Sequence, residues 1–336
     1  MKLVPLPVSV GRWRTAATWW DGLAILLVAG LVAFLAETAH QLGAPLQAVA
    51  ATPISLDPAA LPGYAARTAL RMLAALVLSL LFTFTYATLA AKSRRAGLLL
   101  LPLLDILQSV PILGFISVTV TFFLSLAPGR LLGAELAAIF AIFTSQAWNM
   151  AFSFYQSLRT VPDELEEVAT SFRLTRWARF WRLEVPFAMP ALLWNMMMSM
   201  SGGWFFVVAA EAISVGSTSV ALPGIGSYIA RAIAERDLPA VGWAIMAMLI
   251  VILLYDQFLF RPMVAWADRF RLDQDAYARP PDSWVLMVLR RSPLVAVVAG
   301  RLGAAWRWTY RPGRGGSASG GAPPPPRRWA DRAWAS

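Results

Sequence analysis

The chain has 336 residues, of which 58% are hydrophobic and only 14% are charged, a balance that water-soluble domains of this size do not normally show. The formal net charge is +10, but Lys and Arg lie in short clusters between apolar segments, where they indicate membrane topology and not binding to nucleic acid. With no Cys and one His, the chain lacks the residues for disulfides, thiolate metal sites and His-based triads.

Apolar segments of about 20 residues, the length that crosses roughly 30 Å of hydrocarbon, recur throughout residues 20–262. The first, residues 23–36, follows a basic N-terminal segment and predicts a crossing that starts in the cytoplasm. A cleaved signal peptide is the alternative interpretation, because it also combines a basic start with a short apolar core. The length of the segment before residue 23 favours the membrane span.

Further spans are predicted after the first, and the basic residues between them indicate their direction. They cover residues 68–91, 98–126, 132–154, 187–213 and 240–260. Pro102 and Pro111 interrupt the third span, which predicts a bend. Clusters of Lys and Arg after the second and fourth spans place those ends inside. Five arginines are exceptions on or near the outer side: Arg67, Arg71, Arg130, Arg231 and Arg236. The sequence therefore predicts an all-α integral membrane protein with about six transmembrane helices and both termini in the cytoplasm.

Composition divides the chain into three parts. Residues 1–19 form a cytoplasmic N-terminal segment, residues 20–272 the transmembrane domain, and residues 273–336 a cytoplasmic C-terminal segment. The last part includes a run rich in Pro, Gly and Arg that is typical of an extended linker.

The longest predicted cytoplasmic loop, residues 160–185, contains two helix-start patterns. The pattern from Thr160 to Asp163, with a Pro in the first turn, is typical of a helix N-terminus. Apolar residues follow at i, i+3, i+4 and i+7 and predict a short amphipathic helix; they are Leu165, Val168, Ala169 and Phe172. Thr175 starts a second short helix at an angle to the first, and Pro186 closes it before the fifth span. Such a pair presents an apolar ridge with acidic flanks to a soluble partner, although a surface helix without a partner is the alternative.

This loop resembles that of the binding-protein-dependent ABC importer permeases, which has a Glu-Ala-Ala triplet (the EAA motif), a Gly four residues after the last Ala, and a later apolar-x-Leu-Pro element, whose place is taken here by residues 183–186. Glu167, Val168 and Ala169 occupy the triplet, and Pro186 follows Glu167 by nineteen residues, as in that family. Arg173 occupies the position of the Gly. A left-handed backbone at a residue other than Gly costs about 1 kcal/mol, so keeping the sharp turn of the family requires a strained residue here.

The resemblance covers roughly residues 65–270, including the turn at 222–226, and points to the branch that imports nitrate, sulfonate, taurine and bicarbonate. It implies the MetI-like permease fold and alternating access for a small solute, an anion by family, across the bacterial inner membrane. Some relatives carry two such domains in one chain, and this sequence resembles their first half.

The resemblance also implies the partners of the chain. These are a dimer of cytoplasmic ABC ATPase subunits, a second permease subunit that is identical or different, a periplasmic solute-binding protein and the lipid bilayer. ATP and Mg would belong to the ATPase, because the chain has no Gly-x-x-x-x-Gly-Lys-Ser/Thr phosphate loop. We therefore expect neither a cofactor nor a catalytic residue in this chain.

Two groups of candidate site residues follow. By the resemblance, the coupling loop that docks on the ATPase includes Asp163, Glu166, Glu167, Val168, Ala169, Phe172, Arg173, Arg176 and Pro186. On the fifth span, Trp204 and Glu211 are candidates for the translocation path, because a carboxylate inside a membrane is costly unless it faces water or a partner. A solvated position at the outer interface is the alternative for Glu211.

Other classes of function fit the sequence less well. A secondary transporter driven by an ion gradient would show inverted repeats and charged residues at mid-membrane, and neither is clear. A membrane enzyme would need converging catalytic groups, and the single His40 lies in or beside an outer loop. The methionines at 196, 197, 198 and 200 favour apolar packing over a soft-metal site, since neither Cys nor His is nearby.

Overall fold

The computed structural model describes residues 54–110, 112–215, 218–270, 300–303 and 305. The predicted first span, the segment 1–19 and most of the segment 273–336 lie outside these ranges. The helices and strands are, in chain order, α1 (Leu61–Lys92), α2 (Arg94–Ser109), α3 (Ile112–Leu126), α4 (Leu131–Arg159), α5 (Asp163–Ser171), α6 (Arg176–Arg179), α7 (Val185–Glu211), β1 (Ala212–Val215), β2 (Thr218–Ala221), α8 (Ile225–Ala234), α9 (Leu238–Tyr255) and α10 (Arg261–Ala267).

Within the described ranges, four helical stretches are long and apolar enough to cross a membrane, and they match the predicted second, fourth, fifth and sixth spans. They are Pro58–Lys92, Leu131–Arg159, Arg176–Glu211 and Leu238–Ala267. The predicted third span is divided between α2 and α3, which have 16 and 15 residues, so the predicted interruption near Pro111 is confirmed. The described fold is therefore nearly all-α, and the count of six crossings stays a prediction.

The predicted outer loop between the fifth and sixth spans is structured. Strands β1 and β2 form an antiparallel hairpin in which Ala212 pairs with Ala221 and Val215 with Thr218. The ten-residue helix α8 follows and leads into α9. This hairpin is the one departure from helical structure among the described elements.

The second half of the coupling loop continues directly into the fifth span. A π-helical turn, Phe180–Glu184, joins α6 to α7, so that Arg176–Glu211 is one helical rod of 36 residues. The expectation of a separate second helix closed by Pro186 is therefore wrong. In the wide turn the Val185 N–H donates to the Phe180 carbonyl five residues back, which makes room for the ring of Pro186 and leaves no hydrogen bond for it to break.

The same device occurs at the other end of the domain. A second π-helical turn, Asp256–Phe260, precedes Pro262, and the Arg261 N–H donates to the Asp256 carbonyl. In both places a proline is the second residue after a widened turn, and the helix passes the proline without ending.

The core of the domain packs α1, α4 and α7 around long unbranched and aromatic side chains. Met72, Met150, Phe154 and Met196 are all fully buried there. The burial of Met196 agrees with the packing role that the sequence favours. Between helices in lipid, however, apolar contact supplies van der Waals attraction and little hydrophobic driving force, so polar contacts contribute strongly to which faces meet.

The strongest polar contact is an enclosed ion network around Arg71 of α1. Its guanidinium makes a bidentate pair with Glu135 of α4, with Nε–Oε2 and Nη2–Oε1 distances of 2.6 Å. Its Nη1 lies 2.7 Å from Oε1 of Glu211 at the end of α7. The three residues are 4%, 8% and 0% exposed. One cation therefore joins three membrane helices.

The network also fixes the start of α8. Thr68 donates to Glu211 Oε1 at 2.7 Å, and the backbone N–H of Gly226 donates to Oε2 at 2.7 Å. A Cβ at Gly224 would collide with the Glu211 carboxylate, and one at Gly226 would collide with the backbone of Val208. The two glycines of the 222–226 turn are therefore required by close approach.

The turn between α5 and α6 keeps its sharp form although Arg replaces Gly. Arg173 has φ of +48°, in the left-handed region. The Leu174 N–H donates to the Ala169 carbonyl at 3.1 Å and the Arg173 N–H to the Thr170 carbonyl at 2.8 Å, which together form a Schellman motif. The strain expected from the sequence is thus present at this residue.

We predict that Arg71→Met lowers the stability of the detergent-solubilised protein by about 3–5 kcal/mol, because it leaves two buried carboxylates without a counter-charge. Thermal unfolding followed by size-exclusion chromatography measures the effect. The exposed Arg130→Met is the matched control and should change stability by less than about 0.5 kcal/mol. Adding Glu135→Gln and Glu211→Gln should recover part of the loss. An unchanged unfolding midpoint for Arg71→Met would contradict this role.

We predict that Arg173→Gly raises the stability of the protein by up to about 1 kcal/mol, because Gly adopts the left-handed backbone without a Cβ clash. Arg176→Gly, three residues later in α6 with a helical backbone, should lower it by about 0.5–1 kcal/mol. Unfolding midpoints of the two variants, measured in the same detergent, should move in opposite directions. Equal shifts would show that the turn is not strained.

Candidate coupling site

The outer surface of the coupling loop exposes large apolar side chains. Phe172 is 76% exposed, Val168 51% and Trp177 47%, whereas Ala169 is 5% exposed and faces the domain. The predicted apolar ridge is therefore split. Ala169 packs inward, and Val168 and Phe172 point away from this subunit. An apolar patch on a short polar loop is the usual feature of a protein contact.

Acidic residues flank this patch in the first turn of α5. Asp163, Glu164 and Glu166 lie there, where the partial positive charge of the helix N-terminus stabilises carboxylates. Pro162 is the N-cap and not part of the first turn, so α5 begins about two residues later than the pattern from Thr160 predicts. Thr160 has another role than the one its pattern predicts, because it ends α4 and its hydroxyl donates to the Ser157 carbonyl at 3.2 Å.

The start of the second helix is confirmed. The Thr175 hydroxyl accepts a hydrogen bond from the Ala178 N–H at 3.2 Å and so caps α6. Because α6 continues into α7, this cap marks the N-terminal end of the whole Arg176–Glu211 rod.

Four charged side chains join the coupling loop to the membrane helices, and we call them the Glu184 cluster. Glu184 lies between Lys92, at 2.7 Å from its Nζ, and Arg179, at 3.4 Å from its Nε. Arg179 also forms an ion pair with Glu166 of α5. The cluster, which consists of Lys92, Glu166, Arg179 and Glu184, thus connects α1, α5 and the Arg176–Glu211 rod.

Aromatic side chains pack beneath the Glu184 cluster. Phe84 of α1 meets Phe154 of α4 edge-on, with ring centroids 5.2 Å apart, and meets Phe180 and Trp181 at 6.1 and 5.9 Å. Lys92 lies 5.4 Å from the centroid of the Phe180 ring. Such pairs stabilise packing by about 0.5–1.5 kcal/mol each. The base of the loop is therefore packed against two other spans.

The structure brings most of the predicted loop residues to one surface. The exposed ones are Asp163, Glu167, Val168, Phe172, Arg173 and Arg176. Glu166 is half-buried against Arg179, Ala169 is buried, and Pro186 lies at the base of the loop in the first turn of α7. The contact of this surface with an ATPase stays a prediction.

The two candidates for the translocation path have different surroundings. Glu211 is fully buried and all its described partners lie in this subunit, so its carboxylate is not solvated at an outer interface. Trp204 is half-buried, and its ring meets Tyr255 edge-on at 5.2 Å. Their role in the path stays a prediction.

Sequence reasoning missed the partners of both charged clusters. From the sequence, Arg71 is only an exception to the charge rule and Lys92 only one of the basic residues that indicate topology, and neither Glu135 nor Glu184 has a predicted partner. The signal that could have found the network around Arg71 is that Arg71, Glu135 and Glu211 lie at the predicted outer ends of the second, fourth and fifth spans. In the part of the chain that the structure describes, no three His, Cys, Asp or Glu side chains are grouped as a metal site requires.

Comparison with known proteins agrees with this geometry. The family described as "Binding-protein-dependent transport system inner membrane component" matches residues 83–261, which include the whole coupling loop. The bicarbonate transport system permease protein CmpB of Synechococcus elongatus is 24% identical over 184 residues, which cover 55% of this chain and 60% of CmpB.

Two other relatives match a similar region. The nitrate import permease protein NrtB of Synechocystis sp. is 26% identical over 158 residues, 47% of this chain and 52% of NrtB. The glycine betaine/carnitine transport permease protein GbuB of Listeria monocytogenes is 26% identical over 168 residues, 50% of this chain and 54% of GbuB. The chain thus spans little more than half the length of these relatives. Because the family match covers more than half of the chain, the protein belongs to the family of inner-membrane components of binding-protein-dependent transport systems.

Proposed function

We propose that this chain is the permease subunit of an ATP-driven importer and moves a small solute across the inner membrane by alternating access. ATP hydrolysis takes place in a separate cytoplasmic ATPase, and a soluble binding protein delivers the solute from outside. The observation that carries the proposal is the coupling site, where an exposed apolar surface lies on a loop that is tied to three membrane helices. The names of the relatives, which concern bicarbonate, nitrate and glycine betaine or carnitine, support a small charged solute.

The surface of α5 fits a docking contact with the ATPase. Phe172, at 76% exposed, is the largest apolar side chain on it, and Val168 lies one helical turn before. Asp163 and Glu167 surround them with negative charge. An aromatic anchor with a charged rim is the usual composition of an interface hot spot, so a groove with an apolar floor and basic edges is the expected partner surface.

Motion of α5 would reach the membrane through the Glu184 cluster. The ion pair between Glu166 and Arg179 joins α5 to the Arg176–Glu211 rod, and the pair between Glu184 and Lys92 joins that rod to α1. The short connection 160–162 joins α5 to α4. A displacement of α5 by the ATPase would therefore act on three spans together, which alternating access requires.

We predict that Phe172→Ala weakens binding of the cognate ATPase by about 30-fold or more, because truncation of a buried aromatic anchor typically costs 2 kcal/mol or more. Titration of the purified ATPase onto the permease in nanodiscs measures the affinity. Thr170→Ala, also exposed on α5, is the matched control and should bind as the parent does. If both variants bind with unchanged affinity, α5 is not the docking helix.

We predict that Glu166→Gln reduces transport per ATP hydrolysed by about twofold to fivefold while ATPase binding stays intact. The pair with Arg179 is partly exposed, so its loss is worth at most about 1 kcal/mol. Solute uptake and ATP hydrolysis are measured together in proteoliposomes. The matched control is Glu164→Gln in the same helical turn, where the structure records no ion pair among the described residues. Equal coupling ratios for the two variants would remove the Glu166 contact from the transmission path.

A further inference from the structure

Helix α2 carries a polar stripe on an otherwise apolar exposed surface. Asp105, Gln108 and Ser109 are exposed and lie on one face, at i, i+3 and i+4. The Gln108 amide donates to Asp105 Oδ1 at 3.2 Å, and the Ser109 hydroxyl donates to the Asp105 carbonyl at 2.7 Å. The neighbouring Leu103 and Ile106 are 44% and 62% exposed, so the surface around the stripe is apolar.

Two contacts fix the depth of the stripe, because they show that α2 runs back along α1. The Tyr86 hydroxyl donates to the Leu100 carbonyl at 2.6 Å. Nearer the turn between the helices, a Cβ at Gly97 would lie 2.9 Å from the carbonyl oxygen of Ala90. The two helices are therefore antiparallel, and moving one residue forward along α2 corresponds to moving one residue backward along α1.

This register places Asp105 near the middle of the bilayer. It lies opposite about residue 81 of α1, and at 1.5 Å per residue it is roughly 16 Å from the basic turn 92–95. That distance is about half of the 30 Å hydrocarbon thickness. Asp105 therefore lies where an exposed carboxylate is least favourable in lipid.

No residue in the described ranges neutralises the charge of Asp105. The structure records no ion pair for it with any residue in the described ranges, in contrast to Glu135 and Glu211, which share Arg71. A carboxylate facing lipid at this depth costs at least about 2.5–3.5 kcal/mol. The face of α2 that bears Asp105 must therefore meet water or a polar partner in the working transporter.

We propose that Asp105, Gln108 and Ser109 line the water-filled translocation path, and that Asp105 favours solutes with a positively charged nitrogen over simple anions. The inference rests on the proposed transport function and specifies its path and solute class. A single carboxylate with a neutral amide and a hydroxyl attracts an ammonium group, alone or in a zwitterion, and repels nitrate-like anions. The basic residues that precede Asp105 on the same helix and its turn, Lys92, Arg94 and Arg95, lie roughly 16 Å away along the helix axis.

The absence of Cys from the chain allows a direct test of the path. We expect Asp105→Cys and Gln108→Cys, each in the full transporter in proteoliposomes, to react with a membrane-impermeant methanethiosulfonate in the nucleotide-free or the vanadate-trapped state. Ile106→Cys, the adjacent exposed apolar position, is the matched control and should react at least tenfold more slowly. Similar rates at all three positions would overturn the proposal. A spontaneous disulfide between two copies of Asp105→Cys would also overturn it, because the stripe would then be a subunit contact.

The charge preference has its own readout. The quantity measured is the ratio of the reaction rate of a cationic methanethiosulfonate to that of an anionic one. At Gln108→Cys we expect this ratio to be about tenfold higher than for a free thiol in solution, because Asp105 is within hydrogen-bonding distance of that position. Adding Asp105→Asn should return the ratio to the solution value. A ratio that Asp105→Asn leaves unchanged would overturn the solute-class part of the proposal. Rates in the nucleotide-free state do not require the ATPase or the coupling loop, so loss of ATPase binding in Phe172→Ala tests the proposed function separately.

Discussion

The neutralisation of Arg71 is the constraint on which the arrangement of the membrane helices depends. A guanidinium inside the membrane domain needs counter-charges, and here two carboxylates from different helices supply them. An apolar side chain is in an apolar environment whether it faces lipid or another helix, so apolar packing alone does not specify which helix faces meet. Satisfaction of the Arg71 charge and of every oxygen of Glu211 does specify it, and it also fixes where α8 begins.

The two ends of α7 are held in different ways, and this difference suits a transporter. Glu211 at one end is fully buried, whereas the Glu184 cluster at the other end includes side chains of Lys92 and Glu166 that are 43% and 44% exposed. Partly exposed ion pairs are weak and can be rearranged at low cost, whereas a buried network resists rearrangement. The 27 residues of α7 span about 40 Å between the two. We therefore expect the outer end to stay fixed while the inner end moves with the coupling loop.

The sequence predicted local features of the coupling site well, because they depend on nearby residues. The presence of a short helix after Pro162, the Thr175 cap and the strained turn at Arg173 all follow from spacing and backbone preference. It predicted the positions of four spans for the same reason, since length and apolar content determine them. It could not pair Arg71 with Glu135 and Glu211, because a sequence gives the depth of a residue but not the direction in which its helix face points. The continuity of α6 with α7 was missed because Pro186 normally ends a helix, and only the widened turn before it removes the clash.

The widened turn at Phe180–Glu184 has a consequence for the geometry of the whole rod. A π-helical turn holds one residue more than an α-helical turn, so it rotates everything after it by about 100° relative to an uninterrupted α-helix. The face that carries Arg179 and the face that carries Glu211 are therefore brought into their mutual orientation by this single extra residue. Shortening the turn by one residue would leave both helical segments intact, but the coupling loop and the Arg71 network would then face directions that no longer match. The rotation of one end of the rod relative to the other, about the helix axis, is thus set by the π-helical turn before Pro186.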